Sequence, residues 1–295
     1  MDRDRNLNVW TGSVPIFRSY LYVPGSDPSL INKALKSRAD AIVIDLEDAV
    51  TNDQKQMARA NASALLAESQ SKPVLVRINS AESGYWRMDL EAVGHWDPSG
   101  IRVPKVESVA TVVQVASFLS SLDSGSTPLI PLIESALGVE RAFEIASGHH
   151  RVIALGMGEA DLAADLGTNG SDALNYPRSR CIVAARAAGL AAAIQSVYVN
   201  LHDPSGLRSS TEFGRSLGFF GRSAIHPSQI DAINEVFTPS DNEVSSAQEI
   251  VSIMGAASSL GSGLGVTQSG EFVDAAILRR ARAILSVAQM VENLK

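Results

Sequence analysis

Short apolar runs alternate with helix-spaced stretches through most of the chain. The runs at 19–23, 41–44, 74–78, 101–103, 129–133, 152–155, 197–200 and 219–225 are too short for helices and read as strands. Between most of them, apolar residues recur at helical spacing, over 30–36, 54–68, 109–122, 138–146, 176–190 and 211–217. Eight short strands separated in this way predict an α/β fold, a closed parallel (β/α)8 barrel, with an open doubly wound sheet as the alternative. The sequence PGSDPS after the first strand is not the glycine fingerprint that a nucleotide-binding open sheet more often carries. Beyond the eighth strand, 230–237, 242–260 and 272–294 read as helices, and the glycine-rich 261–270 reads as a mobile loop. The expected division is an N-terminal extension (1–17), a barrel (18–237) and a C-terminal helical extension (238–295), the last a lid or an oligomerisation arm.

Polar chemistry follows nearly every strand. The 129–133 run ends in Glu134, and the 152–155 run leads through Gly156 and Gly158 to Glu159 and Asp161. If the two strands are parallel neighbours, their carboxyl ends lie side by side, so Glu134 and Asp161 converge on one point and suit a hard divalent cation. Asp161 also precedes an apolar helical run and could instead cap it. The second strand is followed by Asp45, Glu47 and Asp48, the third ends in Arg77 and Asn79, and the fourth leads into Lys105 and Glu107. Lys105 and Glu107 could simply pair with each other. Glu159 could point away from the site. His149, His150 and His226 read as structural, and Tyr85 and Trp86 as cover for the barrel.

Composition narrows the setting. The 295 residues are 45% hydrophobic, enough for a large core, and the formal charge of −7 argues against a nucleic-acid or anionic-membrane partner. A single cysteine, Cys181, excludes an internal disulfide framework and suits the reducing cytosol. No apolar segment backs the charged first ten residues, and the most apolar stretch, 181–194, is broken by Arg186. A cytoplasmic protein is expected.

Seven motifs stand in one order: RSYLYVPGS from Arg18, AIVIDLEDAV from Ala41, VRIN from Val76, PKVE from Pro104, IESALG from Ile133, GEADLAADLG from Gly158 and GRSAIHPSQI from Gly221. In this the chain resembles the citrate lyase beta subunit family of HpcH/HpaI aldolases, related to malyl-CoA and citramalyl-CoA lyases, over about residues 18–290 by motif order. The resemblance implies a Mg²⁺-dependent carbon–carbon lyase that cleaves a 3-hydroxyacyl thioester to a 2-oxo acid and acetyl-CoA. It implies Glu134 and Asp161 as metal ligands, with Glu134 also facing substrate, and Arg77 as the residue that holds the substrate's carboxylate or oxo group. It further implies Lys33 and Arg18 as contacts to coenzyme A, Asp45 and Glu47 as an outer shell around the metal, and Asp274 as the acid/base carboxylate. In the relatives that carboxylate closes over a neighbouring subunit, so a homo-oligomer, a trimer or hexamer, is expected.

The chemistry requires such residues. Mg²⁺ is commonly held by one or two carboxylates plus water, leaving positions for substrate oxygens, and a guanidinium can stabilise a developing oxyanion without exchanging a proton. The chain departs from the family pattern at Asp27, where malyl-CoA lyases carry a basic residue, at Arg222, which replaces a lysine, and at Gln195 and Ser196, which replace Asp and Gly. These departures leave open whether the acyl group rides on free coenzyme A or on an acyl carrier protein, as for a citrate lyase subunit. A malyl-CoA thioesterase is a further alternative.

Overall fold

Residues 16–123, 125, 127–259, 262–267 and 269–294 are described by a computed structural model. The chain divides into two compact units, Ile16–Phe237 and a second that contains Thr238–Lys295. The N-terminal extension expected at 1–17 lies outside the described residues except for Ile16 and Phe17.

In the first unit, β1 (Ser19–Pro24), β2 (Ala41–Asp45), β3 (Val74–Arg77), β4 (Gly100–Val103), β5 (Leu129–Ile133), β6 (Leu155–Met157), β7 (Ala193–Ile194) and β8 (Arg222–Ala224) form one sheet. Its order is β7-β6-β5-β4-β3-β2-β1-β8, and every pairing is parallel. A parallel bridge between Gln195, one residue past β7, and Arg222 joins the outer strands and closes the barrel. The helices α1 (Pro28–Leu35), α2 (Lys55–Leu66), α3 (Trp86–Val93), α4 (Val109–Leu119), α5 (Ala136–Glu140), α6 (Ala142–Ser147), α7 (Glu159–Asp165), α8 (Asn175–Ala187), α9 (Pro204–Leu217) and α10 (Ile230–Phe237) connect or follow the strands. The fold is therefore the (β/α)8 barrel, not the open sheet.

Strands covered on both faces must be apolar on both faces, and Ile42, Val43 and Ile44 of β2 are wholly buried. Alternation then decides what enters the barrel. Tyr20, Val43, Leu75, Ile130, Leu132 and Ile194 pack into one interior cluster. Two residues beyond four of these, at the carboxyl ends of their strands, stand Tyr22, Asp45, Arg77 and Glu134, which face the same way.

The second unit holds α11 (Asp241–Ser259), an antiparallel pair β9 (Gly265–Val266) and β10 (Phe272–Val273), and α12 (Ala275–Asn293). The expected helix over 272–294 is shorter, because Phe272 and Val273 pair with β9 and Asp274 is the N-cap of α12. Among the described residues no helix is long and apolar enough to cross a membrane.

Four expectations for the barrel change. The sixth strand is Leu155–Met157 and not 152–155, where Val152 makes only an isolated bridge to Leu129. The seventh is Ala193–Ile194 and not 197–200, since the ladder to β6 runs Leu155 to Ala193 and Gly156 to Ile194. The helix expected over 138–146 splits in two at Arg141, whose backbone leaves the helical region. Helix α3, between β3 and β4, was not expected at all.

Barrel closure depends on Gly221. Its φ of +79° lies in the left-handed region, and a Cβ there would collide with the carbonyl oxygen of Phe17. Gly221 also accepts a hydrogen bond from the Gln195 N–H at 3.0 Å, beside the closing bridge. Gly221→Ala is expected to destabilise the fold by about 2 kcal/mol or more, combining left-handed strain with the clash. Calorimetry checks this, and an unchanged thermal midpoint would count against it.

Candidate active site

The inward-facing residues at the strand ends line a cavity of about 450 Å³ that includes Tyr22, Asp45, Arg77, Glu134, Asp161 and Ser223. Parallel registry brings several of them together: Pro24 lies beside Asp45, Asp45 beside Arg77, and Arg77 beside Arg102.

Arg77 is held as a fork. Its Nε donates to Asp45 Oδ1 at 2.7 Å and its Nη2 to Asp45 Oδ2 at 2.6 Å, while Nη1 reaches Glu47 at 3.1 Å and Asp48 at 3.2 Å. Burial works against its charge, but the hydrogen bonds and charge of Asp45 outweigh burial and raise its pKa. Asp45 is in turn fixed by the N–H groups of Glu47 and Ala49 at 3.0 Å. The loop carrying Glu47 and Asp48 is clamped from below by Lys55, whose buried ammonium donates to the carbonyls of Leu46, Glu47 and Val50. Asp45 and Glu47, expected around the metal, thus bind Arg77 in this structure.

Glu134 is 5% exposed and accepts the Lys105 N–H at 3.2 Å. Burial, then the charge of Glu47, pushes its carboxyl up to about 7. Its side chain is tightly overlaid by the β6–α7 turn: a Cβ on Gly158 would lie 2.5 Å from Glu134 Oε1, so any larger residue there would push the Glu134 side chain aside. Asp161 follows in the first turn of α7 and lines the same cavity. The capping role open to it is not used, because Gly158 occupies the N-cap and no hydrogen bond engages the Asp161 carboxylate among the described residues.

Five carboxylates (Asp45, Glu47, Asp48, Glu134, Asp161) surround two cations, Arg77 and Lys105. Burial, with the charge of Asp48 adding to it, pushes Glu47 up to about 7, and its buried Oε2 meets Arg77 Nη1 as an ion pair without hydrogen-bond geometry. Among the described residues, no group of three or more His, Cys, Asp or Glu is placed to hold a metal ion. A two-carboxylate, all-oxygen donor set fits a hard cation that keeps its own waters, with Glu134 and Asp161 as its ligands.

Other expected residues lie elsewhere. Arg18 precedes β1, at the opposite end of the strands from the cavity, and its Nε and Nη2 bind Asp40 at 2.8 and 2.7 Å. The structure therefore places Arg18 in an ion pair with Asp40 and not among the residues that line the cavity. Lys33 is exposed on α1, and Asp27 caps that helix through the N–H groups of Ser29 and Leu30. Glu159 binds Arg178 at 2.6 Å, and Glu107 accepts from Ser135 rather than pairing with Lys105. Trp86 is buried against Phe118, and His226 caps a short 3-10 turn. Arg222 donates to Ser196, Ser210 and Thr211, and Gln195 donates to the carbonyl of Ser210. Asp274, in the second unit, accepts the N–H groups of Ala276 and Ile277.

Lys105 was missed as a member of the site. Its φ of +54° is left-handed, and its Nζ lies 3.2 Å from Glu47 and 3.7 Å from Asp48. Backbone strain in a non-glycine residue at a strand end is a common mark of a functional position. No sequence pattern announces it, although an ammonium after a barrel strand was a signal.

Comparison with known proteins agrees with this geometry. A family model described as HpcH/HpaI aldolase/citrate lyase matches residues 18–227. The chain is 33% identical to the citrate lyase subunit beta of Leuconostoc mesenteroides subsp. cremoris, covering 92% of this chain and 93% of that one. It is 36% identical to a (3S)-malyl-CoA thioesterase of Cereibacter sphaeroides, covering 93% and 95%. Among solved structures, CitE from Mycobacterium tuberculosis in complex with magnesium, acetoacetate and coenzyme A superposes with a TM-score of 0.75 at 28% identity, over 92% of this chain and 97% of that one. By its barrel, its acidic strand ends and these matches, the chain belongs to the HpcH/HpaI aldolase/citrate lyase family.

Proposed function

We propose that this chain is a Mg²⁺-dependent lyase that cleaves a citramalyl-, malyl- or citryl-type thioester of coenzyme A into a 2-oxo acid and acetyl-CoA. The observation that carries this reading is the placement of Glu134 and Asp161, from separate strand ends, on one cavity with Arg77 and an excess of carboxylates. The magnesium and coenzyme A bound by the Mycobacterium tuberculosis CitE support it.

Glu134 and Asp161 would hold the ion, with water completing its shell. When bound, Mg²⁺ supplies a Lewis acid for substrate oxygens. Arg77, kept charged and oriented by Asp45, offers fixed positive charge to the oxygen on which charge develops. Lys105 adds a second cation beside Glu47. Asp274 would move the proton at the acetyl carbon. The N–H groups of Ile277 and Ala276 hold its carboxyl below the usual range, so at neutral pH it is ionised; in cleavage it would first take the substrate's 3-hydroxyl proton as the carbon–carbon bond breaks and then give that proton to the acetyl enolate carbon. In this reading the active form is a homo-oligomer, a trimer or hexamer.

Two outcomes are expected. Mg²⁺ affinity falls as pH drops through about 7, because the Glu134 proton, held by burial and the charge of Glu47, must leave before the ion binds. The loss approaches about tenfold per pH unit below that point for one displaced proton, read by calorimetry between pH 6 and 8; a flat profile would remove Glu134 from the ligand set. Asp274→Ala is expected to keep Mg²⁺ affinity and lose turnover by about 100-fold or more. Retained turnover would exclude Asp274 as the acid/base group.

A thioesterase reading is favoured by the 36% identity to a (3S)-malyl-CoA thioesterase. Chromatography of the products from free citramalyl-, malyl- and citryl-CoA separates the two. A 2-oxo acid with acetyl-CoA supports the lyase, whereas a free 3-hydroxy acid with coenzyme A supports the thioesterase. Turnover only on an acyl carrier protein would make the chain a citrate-lyase-like subunit.

A further inference from the structure

Beneath the acidic mouth lies a further buried cation. Arg102 of β4 points into the barrel and is 1% exposed. Among the described residues no carboxylate pairs with it, and its Nε and Nη2 are buried without hydrogen-bond partners. Its Nη1 donates to Tyr22 Oη at 2.9 Å and to Ser223 Oγ at 2.8 Å, and its guanidinium lies over the rings of Tyr20 and Tyr22 at 4.5 and 5.1 Å. A buried, unpaired guanidinium is costly and calls for a reason.

Its hydrogen bonds supply one. A guanidinium has only donors, so both hydroxyl oxygens accept from it, and each hydroxyl keeps its own hydrogen to donate. Neither donates to another group among the described residues, and both residues line the cavity. The result is two outward donors backed by a buried positive charge, on β1 and β8, and drawn from different residues than Glu134 and Asp161 on β5 and α7.

We propose that the Tyr22 and Ser223 hydroxyls form a carboxylate-binding subsite, with Arg102 as the positioning residue, that takes a second carboxylate of the substrate. The 2-oxo acid's own carboxylate belongs at the metal pair, so the subsite selects substrates whose 2-oxo acid product is a dicarboxylate. This deepens the lyase reading and rests on it. A hydrogen bond to a charged group is worth about tenfold or more in affinity.

The test is calorimetric titration of the Mg²⁺-loaded protein with freshly dissolved oxaloacetate and pyruvate, which differ by one carboxylate. The wild type is expected to bind oxaloacetate about tenfold or more tightly than pyruvate. Tyr22→Phe with Ser223→Ala is expected to erase that preference while leaving Mg²⁺ and pyruvate affinity unchanged, because both ligands keep the metal pair. Arg102→Met should erase it too, and Arg102→Lys, still a buried donor, should restore part of it; the hydroxyl variants decide if Arg102→Met does not fold. Equal affinity in the wild type, or a preference that survives in the Tyr22 and Ser223 variant, overturns the subsite and leaves the lyase reading standing. A wild type that binds Mg²⁺ but neither oxo acid overturns both. A preference lost in the variant, in a protein that cleaves no thioester, supports the subsite and removes only the lyase reading.

Discussion

Glu134→Gln is expected to abolish Mg²⁺-dependent turnover, by about a thousandfold or more, while leaving the fold intact. In the proposed site Glu134 and Asp161 alone hold the ion, so removing one charge forfeits several kcal/mol of stabilisation where charge develops. The amide has the same shape and can still accept the Lys105 N–H. The stability sign runs the same way. Burial and the charge of Glu47 raise the Glu134 pKa to about 7 in the fold, above its unfolded value, so ionising it costs stability as pH rises from the ordinary carboxylate range to about 7. Above that pH the metal-free variant, which never ionises, should melt no lower than the wild type. Loss of activity together with a lower melting temperature would mean that Glu134 is structural, and preserved Mg²⁺-dependent turnover would remove it from the metal site.

The second large effect is expected at Arg77. Arg77→Met leaves Asp45, whose side chain is 2% exposed, as a buried carboxylate without its cation, and Glu47 with Lys105 alone. Breaking a buried pair from one side costs about 3–5 kcal/mol, so both stability and turnover should fall. Arg77→Lys keeps the charge but cannot span both Asp45 oxygens, and turnover should still drop by about 100-fold because the cation loses its fixed direction. Adding Asp45→Asn to Arg77→Met should recover part of the stability and none of the activity, since it removes the stranded charge without restoring the donor. Additive losses in this cycle, measured by urea unfolding, would show that the two side chains do not act as a pair.

The shared cavity of Glu134 and Asp161 was legible because two things coincide at β5: an uninterrupted apolar run, 129–133, and an acid at its end. The same reasoning reached Arg77 and Asp45, whose inward direction follows from alternation with Leu75 and Val43. It failed where residue type hides the element. Strand β7 is built of Ala193 and Ile194 after two more alanines, and alanine does not mark a strand. In α3, Trp86, Leu90 and Val93 are buried at helical spacing, but Tyr85 at the N-cap gives no side-chain cap to mark the start. Arg18 was placed by motif alone, and only the barrel shows that the RSYLYVPGS motif spans the strand from end to end, with Arg18 at the far side. The partners of Lys105 and Arg102 depend on left-handed backbone and on contacts between distant strands, neither of which a linear pattern carries.

The most direct measurement is a calorimetric Mg²⁺ titration at pH 8 of the wild type, Glu134→Gln and Asp161→Asn. One ion per chain in the wild type, with binding lost or sharply weakened in each variant, is the predicted result. Binding that survives unchanged in both variants, or no binding in the wild type, would contradict a metal centre at these two strand ends.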